Sequence, residues 1–375
     1  TIVYRLAYLV EQGEYPESIL LLTFTRKAAQ EMLARAGQLL ADDQGAPLPL
    51  PVSGGTFHSF AHLSLRRYGV PGMEGSFTIL DRSDSETIIR NAKSDLKLGK
   101  GDRSFPKIRT VVEQLSKARN KEISLEDVLQ SESPHLLNYS EDFLRLGKAY
   151  EEAKEKNRLL DYDDLLFKLE TLMLERPEIK DILQARFGHV MVDEYQDTNL
   201  IQARLVRHVA RDGGPVMAVG DDAQSIYGFR GANVENIHRF PELFPGTRII
   251  KLEQNYRSTQ PILSVTNTIL RQSTAHFEKE LFSDIAAGPK PRLAKVKSDR
   301  SQADAVVNTM VALLKKYDPP DIAVLFRAGY MSFRIESMLN RLGIRFAKYG
   351  GIRFTDAAHI KDALAFARLV VNPSD

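Results

Sequence analysis

The sequence contains no cysteine and no tryptophan, has no uninterrupted apolar run long enough to cross a bilayer, and does not begin with methionine. Without cysteine, the chain can form no disulfide bond, no thiolate zinc site and no cysteine nucleophile. Charge of one sign is not in excess, since 51 Lys and Arg residues stand against 49 Asp and Glu residues. Any binding of nucleic acid must therefore come from the local placement of basic and aromatic side chains.

The residues that are present have the composition of a globular protein, with 43% hydrophobic and 27% charged residues. This composition excludes a collagen and a small disulfide-stapled domain, and we expect no membrane partner. A length of 375 residues predicts two or three domains. The first residues, Thr1 to Arg5, are typical of the middle of an amphipathic helix, so we expect this chain to begin inside a longer protein.

Short apolar runs alternate with segments of helical period, which predicts an α/β fold with a doubly wound parallel sheet. Helices are expected over residues 2–10 and 28–40, while the stretch 41–55, rich in Pro, Gly and Asp, is expected to be a surface loop. The predicted buried strands are residues 19–25, 189–192, 215–219, 248–252 and 321–326.

Residues 61–165 differ from the rest of the chain, because their pattern is mostly helical and contains no convincing buried strand. We interpret them as a helical insertion within a first α/β domain, which then consists of residues 1–60 and 166–255. Residues 256–375 are expected to form part of a second α/β domain. A further boundary signal, Pro289-Lys290-Pro291, lies inside this second part.

Polar side chains follow three of the predicted strands. The predicted strand 189–192 ends in Asp193 and Glu194. One of these carboxylates can hold Mg²⁺ and the other can activate water, although the pair alone is equally typical of a solvated strand end. The second ends in residues 220–224 (Gly-Asp-Asp-Ala-Gln), whose glutamine can sense a phosphate oxygen. The third leads into Tyr256 and Arg257, where a ring can stack on a base and a guanidinium can stabilise phosphoryl charge; an isolated arginine is more often a structural ion pair.

The polar segments that follow these strands belong to a set of motifs in a fixed order along the chain. In these motifs the chain resembles the superfamily 1 DNA helicases of the UvrD, Rep and PcrA type, from its first residues to about residue 371. The resemblance implies a RecA-like P-loop NTPase sheet with a helical insertion, followed by part of a second RecA-like domain. The matching segments are residues 22–29 (motif Ia), 55–60 (motif Ib), 160–166 (the end of the insertion), 193–198 (Asp-Glu-Tyr-Gln-Asp-Thr, motif II), 224–232 (motif III), 255–258 (Asn-Tyr-Arg-Ser, motif IV), and 349–354 with 360–362 (an element of the second domain).

The resemblance implies ATP and Mg²⁺ as cofactors and assigns roles at the matching positions. Asp193 would hold Mg²⁺, and Glu194 would be the general base toward water. Gln224 and Arg257 would contact the γ-phosphate, and Tyr256 would stack on adenine.

The resemblance also implies contacts with single-stranded DNA from motifs Ia, Ib and III. Taken alone, an aromatic pair is usually part of a core and a histidine is usually structural, but the motif context favours DNA. The chain departs from the family at Arg26 (often Asn), Phe229 (often Trp) and His359 (often Glu), and residues 222–223 are Asp-Ala where the family usually has Ala-Asp. The implied DNA-binding residues are Phe24, Thr25, Thr56, His58, Tyr227, Phe229 and Arg230.

One element that ATP hydrolysis needs, a glycine-rich loop ending in Gly-Lys-Ser/Thr, is not found in the sequence. The two Gly-Lys pairs, Gly99-Lys100 and Gly147-Lys148, are not followed by Ser or Thr. In the family, this loop directly precedes a helix that resembles residues 2–10, so we expect it to precede Thr1. We likewise expect the remaining family motifs to follow residue 375.

The implied function of the complete protein is that of an ATP-dependent DNA helicase and translocase, with 3′-to-5′ direction. It would act on single-stranded DNA and on junctions of single- and double-stranded DNA, in repair or replication, in the bacterial cytoplasm or nucleoid. The sequence does not identify its protein partners. Two alternatives remain open: a helicase–nuclease subunit of recombinational repair, and, for the chain as it stands, a non-hydrolysing module that binds single-stranded DNA.

Overall fold

The computed structural model describes residues 1–41, 45–273, 277–285 and 288–349, together with Ile360, Ala363 and Phe366. The chain divides into two compact units, Thr1–Ala287 and Gly288–Asp375. Part of the second-domain motif, at residues 350–354, and the family departure at His359 lie outside the described residues.

A four-stranded parallel sheet forms the centre of the first unit, and its strands follow the spatial order β2-β1-β5-β6. A separate parallel pair, β3 with β4, lies in the predicted insertion. The strands are β1 Ile19–Thr23, β2 Ser53–Thr56, β3 Thr78–Ile79, β4 Leu159–Leu160, β5 His189–Val192 and β6 Val216–Ala218.

Helices precede, separate and follow these strands. The described α-helices are α1 Ile2–Glu11, α2 Arg26–Leu39, α3 Phe57–Tyr68, α4 Arg82–Asp95, α5 Ile108–Lys121, α6 Leu125–Glu132, α7 Ser140–Asn157, α8 Tyr162–Glu175, α9 Pro177–Arg186, α10 Leu200–Val209, α11 Glu235–His238, α12 Phe240–Leu243, α13 Gln260–Leu270, α14 Asp299–Leu313 and α15 Phe333–Arg341.

The side chains of β1 point alternately to the two faces of the sheet, as the two-residue period of a strand requires. Leu20 and Leu22 pack with apolar side chains of α3, α8 and α10. Ile19 and Leu21 pack on the opposite face with those of α1 and α2. Because helices cover both faces, every residue of β1 is buried, which is why its sequence is an uninterrupted apolar run. The predicted doubly wound α/β arrangement is confirmed.

Strand β2 corrects the prediction of a loop over residues 41–55. It pairs in parallel with β1, with Gly54 opposite Leu21. A Cβ atom at Gly54 would lie only 2.2 Å from the carbonyl oxygen of Leu21, so glycine is what allows the two backbones to approach. The sequence hides this strand because glycine has low strand propensity. Residues 42–44 lie outside the described part.

The predicted strands at residues 248–252 and 321–326 are not formed, which corrects the sequence analysis. Both segments are exposed, with Ile250 at 68% and Leu325 at 94% relative exposure. A strand exists only where a neighbouring backbone supplies ladder hydrogen bonds, and no described residue pairs with these segments in a ladder. An apolar run alone does not reveal whether such a neighbour is present.

The predicted insertion at residues 61–165 is chiefly helical and has its own apolar core, formed by helices α4 to α7 around Ile89, Phe143 and Leu146. The short pair β3 and β4, with Thr78 opposite Leu159, is an addition that the pattern did not predict, and only Leu160 of its four residues is buried. Two-residue strands are too short to produce a recognisable period in the sequence.

Lys154 of α7 is a buried charge at the end of the insertion, with its side chain only 2% exposed. Its Nζ lies 2.8 Å from Asp161 Oδ2 and 2.8 Å from Asp164 Oδ2. Arg119 of α5 contacts the other oxygen of Asp164 at 2.6 Å. Asp161 and Asp164 also form the capping box that begins α8. The segment recognised at residues 160–166 therefore joins three helices through one ion network.

In the unit Gly288–Asp375, α14 packs against α15, and Ala303, Val307 and Leu339 are buried. The boundary between the two units lies beside Pro289-Lys290-Pro291. The domain limits 1–60 with 166–255, 61–165 and 256–375 remain predictions. Within the described part of the chain, no helix combines the length and the apolar character needed to cross a membrane.

Candidate functional site

The strands of the main sheet end at one edge, and residues of four motifs follow those ends. Phe24 follows β1, His58 follows β2, Asp193 follows β5, and Gln224 lies shortly after β6. Because the strands are parallel, their carboxyl ends lie at the edge where α/β proteins bind ligands. The fold therefore brings motifs Ia, Ib, II and III to the same edge of the sheet.

The two adjacent carboxylates after β5 lie on a strained turn. The N–H of Asp193 still donates to the carbonyl of Leu22 in β1, at 2.9 Å. Glu194 then adopts a left-handed conformation, with φ +52° and ψ +42°, which is uncommon for a residue with a side chain and costs energy. The chain turns away from the sheet into the short 3-10 turn Tyr195–Asp197, and the Glu194 side chain is left exposed.

Gln196 is buried, at 1% exposure, and its side chain joins two loops. Its Nε2 donates to Glu194 Oε2 at 2.8 Å, and its Oε1 accepts a hydrogen bond from the N–H of Asp221 at 3.0 Å. Both ends of the amide are therefore used. As a result, the Glu194 carboxylate is tied to the start of the loop that follows β6.

The electrostatics around Glu194 suit a bound cation. Burial raises the pKa of Asp193, and the charge of Glu194 raises it further. The same two causes, in the same order, raise the pKa of Asp197 to about 6. A divalent cation would relieve the repulsion that opposes ionisation of Asp193.

The described residues include no cluster of three or more His, Asp or Glu side chains able to hold a metal ion by themselves. Mg²⁺ is commonly held by one or two carboxylates, with the remaining ligands supplied by water and substrate phosphates. Asp193 fits such a site as the protein's contribution.

Gln224 belongs to the same hydrogen-bond network as Glu194. It lies in the 3-10 turn Asp222–Gln224, its side chain is exposed, and its Nε2 donates to Asp221 Oδ2 at 2.8 Å. Asp221 also accepts from the N–H of Ala223, which caps the turn. Since Gln196 binds the N–H of Asp221, a continuous path of hydrogen bonds leads from Glu194 to Gln224.

Tyr256 and Arg257 are held by local contacts. Tyr256 is 78% exposed, so its ring is free to receive a stacking partner. Asn255 Oδ1 accepts from the N–H of Arg257 at 2.9 Å and shapes the turn that carries the guanidinium. Over the described ranges, no hydrogen bond or ion pair joins Tyr256 or Arg257 to Glu194 or Gln224. Their predicted roles toward nucleotide remain predictions.

The aromatic residues of motifs Ia and III form one cluster, defined here as the ring cluster: Phe24, Tyr227, Phe229 and Arg230. Phe24 and Tyr227 stack with centroids 5.5 Å apart and an interplanar angle of 26°. Phe229 lies 6.1 Å from Tyr227, and the Arg230 guanidinium lies 5.3 Å from the Tyr227 ring and 5.4 Å from the Phe229 ring. Phe229 is 60% exposed, so the cluster is a surface feature and not a core. Exposed rings beside a guanidinium are the chemistry that binds single-stranded bases.

Thr25 and Thr56 act as helix caps at adjacent positions of this edge. Thr25 Oγ1 accepts from the N–H of Ala28 at the start of α2, and Thr56 Oγ1 accepts from the N–H of Ser59 at the start of α3, both at 3.1 Å. These hydrogen bonds satisfy donors that a helix leaves open at its first turn. Each threonine therefore has a structural role beside any contact with DNA.

His58 is partly buried and packs edge-on against Tyr162 of α8, with centroids 6.0 Å apart. Burial lowers the pKa of His58, and the opposing charge of Asp163 does not restore it. The lowered pKa favours the neutral imidazole at neutral pH. Tyr162 is 57% exposed and extends the aromatic surface beside His58.

Sequence reasoning assigned no role to Gln196, Tyr162 or Lys279, although each contacts a predicted site residue or its loop. Gln196 and Tyr162 lie inside recognised motifs, and that position is a signal that could have identified them. Lys279 lies outside every motif, and its contacts with Asp221 and Asp222 follow only from the folded chain.

Comparison with known protein families divides the chain into two parts. Residues 1–245 match the UvrD/REP helicase N-terminal domain. Residues 250–375 match the UvrD-like helicase C-terminal domain. Residues 246–249, which lie between the two matches, precede motif IV.

Similar proteins are found in several bacteria. The chain is 35% identical over 377 residues to DNA helicase II of Salmonella typhimurium, covering 100% of this chain and 51% of that protein. It is 32% identical to the ATP-dependent DNA helicase PcrA of Leuconostoc citreum, over 100% of this chain and 49% of that protein. It is 35% identical to the ATP-dependent DNA helicase UvrD1 of Mycobacterium bovis, over 99% of this chain and 49% of that protein. The chain thus spans about half the length of these curated relatives.

Proposed function

The chain belongs to the UvrD-type DNA helicase family, and from that premise we propose that the complete protein is an ATP-dependent DNA translocase and helicase. It would move 3′ to 5′ on single-stranded DNA, open junctions with double-stranded DNA during repair or replication, and work in the bacterial cytoplasm or nucleoid. The observation that carries the proposal is the loop 220–230. Its first residues are bonded through Gln196 to Glu194, and its last residues carry the ring cluster.

We assign a separate role in ATP hydrolysis to each of the predicted nucleotide-site residues. Asp193 would hold Mg²⁺, which neutralises phosphate charge when it is bound. Glu194, whose carboxylate Gln196 orients, would accept the proton of the attacking water. Gln224 and Arg257 would contact the γ-phosphate, and the exposed Tyr256 ring would stack on adenine.

The ring cluster would bind the bases of single-stranded DNA. Stacking on an aromatic side chain contributes about 1–3 kcal/mol per base and does not depend strongly on base identity. A translocase requires this tolerance, because it must bind every sequence that it passes. Thr25, Thr56 and His58 lie after neighbouring strand ends and would contact the strand beside the rings.

The loop 220–230 would couple the two events. Gln224 donates to Asp221, and Tyr227 lies three residues further along the same loop. When Gln224 turns to a phosphate oxygen, its side-chain hydrogen bond to Asp221 must change, and we propose that the loop transmits this change to Tyr227. The state of the nucleotide would therefore change how tightly Tyr227 binds a base.

Mutation of the proposed general base tests the function. In the complete protein, we expect Glu194→Gln to lower the rate of DNA-stimulated ATP hydrolysis by about 10²–10⁴-fold, the usual contribution of a positioned acid–base group. Its affinity for single-stranded DNA should stay within about twofold, because Glu194 lies outside the ring cluster. ATP turnover and oligonucleotide binding are measured on the same preparation. Glu235→Gln, on an exposed side chain of α11, is the matched control and should leave turnover unchanged.

Two results would contradict the proposal. One is a complete wild-type protein with no DNA-stimulated hydrolysis, and the other is a Glu194→Gln variant with full turnover. For residues 1–375 alone we expect negligible hydrolysis, because the sequence has no Gly-Lys-Ser/Thr loop to hold the phosphates, together with weak binding of single-stranded DNA.

A further inference from the structure

Residues 277–284, named here the bracing segment, contact the loop that carries Gln224. Lys279 Nζ binds Asp221 Oδ1 and lies 2.9 Å from Asp222 Oδ1. The N–H of Phe277 donates to the second oxygen of Asp222 at 2.6 Å. The Lys279 side chain is 13% exposed and that of Asp222 is 3% exposed, so these contacts are largely shielded from water.

Lys279 neutralises two adjacent carboxylates that would otherwise repel each other. Burial alone would lower the pKa of Lys279, but the hydrogen bonds and charges of Asp221 and Asp222 outweigh it and raise the pKa. Among the described residues, the other titratable group in contact with Asp222 is His238, whose Nε2 lies 3.4 Å from Asp222 Oδ2. Asp221 has no described cationic partner besides Lys279.

The contact continues to Gln224 through the second oxygen of Asp221. Asp221 Oδ1 is bound by Lys279, while its Oδ2 accepts from Gln224 Nε2 at 2.8 Å. The two oxygens belong to one rigid carboxylate, so the orientation that Lys279 imposes on one oxygen sets the position of the other. Lys279 therefore determines where Gln224 finds its hydrogen-bond acceptor.

The far end of the bracing segment contacts the loop that carries Arg257. The N–H of Glu280 donates to Glu253 Oε1 at 2.7 Å, and the carbonyl of Phe282 accepts from the N–H of Asn255 at 2.7 Å. Asn255 in turn shapes the turn at Arg257 through its side-chain oxygen. One short segment thus binds both loops whose side chains are expected at the γ-phosphate.

We propose that Lys279 is a positioning residue for nucleotide hydrolysis, which acts through Asp221 on Gln224, and that the bracing segment couples the Gln224 loop to the Arg257 loop. This inference rests on the proposed function. It adds a residue outside the recognised motifs and explains how Asp221, whose side chain is 33% exposed, and Asp222, whose side chain is 3% exposed, can carry adjacent charges.

A double-mutant cycle in the complete protein tests the inference. Lys279→Met keeps the length and volume of the side chain and removes its charge, and we expect it to lower kcat of DNA-stimulated hydrolysis by about tenfold, the scale of one charged hydrogen bond. In a Gln224→Ala background, the same change should have an effect of less than about twofold, because the route through Gln224 is already lost. Lys279→Arg should recover most of kcat. Lys117→Met, which removes an equivalent ion pair with Glu132 in the insertion, is the control and should leave kcat unchanged.

Thermal unfolding and affinity for single-stranded DNA without nucleotide are measured for every variant, and kcat is compared at a temperature at which every variant is folded. We expect Lys279→Met to lower the unfolding temperature, because Asp221 and Asp222 lose a shared cation, and to leave the DNA affinity unchanged. Multiplicative effects of Lys279→Met and Gln224→Ala would overturn the inference while leaving the proposed function intact. An inactive wild-type protein would overturn both. Lys279→Gln is made in parallel, and if both uncharged variants fail to fold while Lys279→Arg folds, Lys279 is structural and the inference is wrong.

Discussion

Asp197 is a carboxyl group whose surroundings oppose its charge. It is 7% exposed, and its Oδ1 atom has no hydrogen-bond partner among the described residues. Burial, and then the charge of Glu194, raise its pKa from 3.8 to about 6, although a hydrogen bond from Gln196 opposes the shift. Between about pH 4 and pH 6, the folded chain therefore keeps a proton that the unfolded chain has released. By linkage, stability falls as pH rises through this window, and the loss is complete above about pH 6.

Asp197→Asn should remove this penalty. We expect the variant to unfold at a higher temperature than the wild type at about pH 7.5, where Asp197 is charged, and to show a smaller difference at about pH 4.5, where the folded carboxyl is protonated. Thermal unfolding of residues 1–375 by circular dichroism at the two pH values measures this. Asp212→Asn, at a side chain 87% exposed, should show no comparable pH dependence. A difference between Asp197→Asn and wild type that is the same at both pH values would show that its charge is not the cause.

At the scale of elements, Lys154 shows how the helical insertion depends on a buried charge. Lys154 binds Asp161 and Asp164, and these two residues also begin α8. Removal of one partner from a buried ion pair leaves an uncompensated charge, which is more costly than loss of an exposed pair. The network therefore makes the junction of α7 and α8 sensitive to a single side chain.

Lys154→Met should destabilise the chain by about 3–5 kcal/mol, because Asp161 would lose the cation that it binds and Asp164 would keep only Arg119. Lys148→Met provides a matched control on the same helix, since Lys148 and Glu152 form a pair that is 80% and 65% exposed. Its effect should be below about 1 kcal/mol. Urea unfolding of the two variants compares the free energies of unfolding. Equal effects would mean that burial of the ion network does not determine its contribution.

At the scale of the whole molecule, a net charge of +2 gives little general attraction for DNA. Binding must therefore depend on locally placed basic and aromatic side chains, and we expect it to be weak and sensitive to salt. For single-stranded DNA, the logarithm of the association constant falls with the logarithm of salt concentration by about 0.7 for each phosphate contact. The number of contacts can be measured from this slope.

Arg230→Gln should weaken binding of an oligonucleotide by residues 1–375 and reduce the salt slope by about 0.7, the value of one phosphate contact. Fluorescence anisotropy with labelled oligo-dT at several salt concentrations measures both quantities. Arg207→Gln alters an arginine that is paired with Asp212 on α10, and it should leave the slope unchanged. If Arg207→Gln and Arg230→Gln reduced the slope equally, the strand would not be localised at the ring cluster.

The amino-acid sequence by itself was sufficient to predict local structural features and to identify the family. Consecutive residues determine the apolar run of β1, the helical period of α1 and the ordered motifs. Their residue types and spacing are therefore enough to identify them. The carboxylate pair at the end of β5 follows equally from local order, because a strand of known direction must end at a known edge of the sheet.

Only the tertiary structure decided the features that depend on residues far apart in the chain. β2 forms because Gly54 allows close approach to β1, whereas the apolar runs at 248–252 and 321–326 form no strand, since no described neighbour supplies ladder hydrogen bonds. The stacking of Phe24 on Tyr227 and the binding of Asp221 by Lys279 likewise join distant segments. Hydrogen bonds and ring contacts depend on distances of a few ångströms, and for residues distant in sequence these distances are set by the folded backbone.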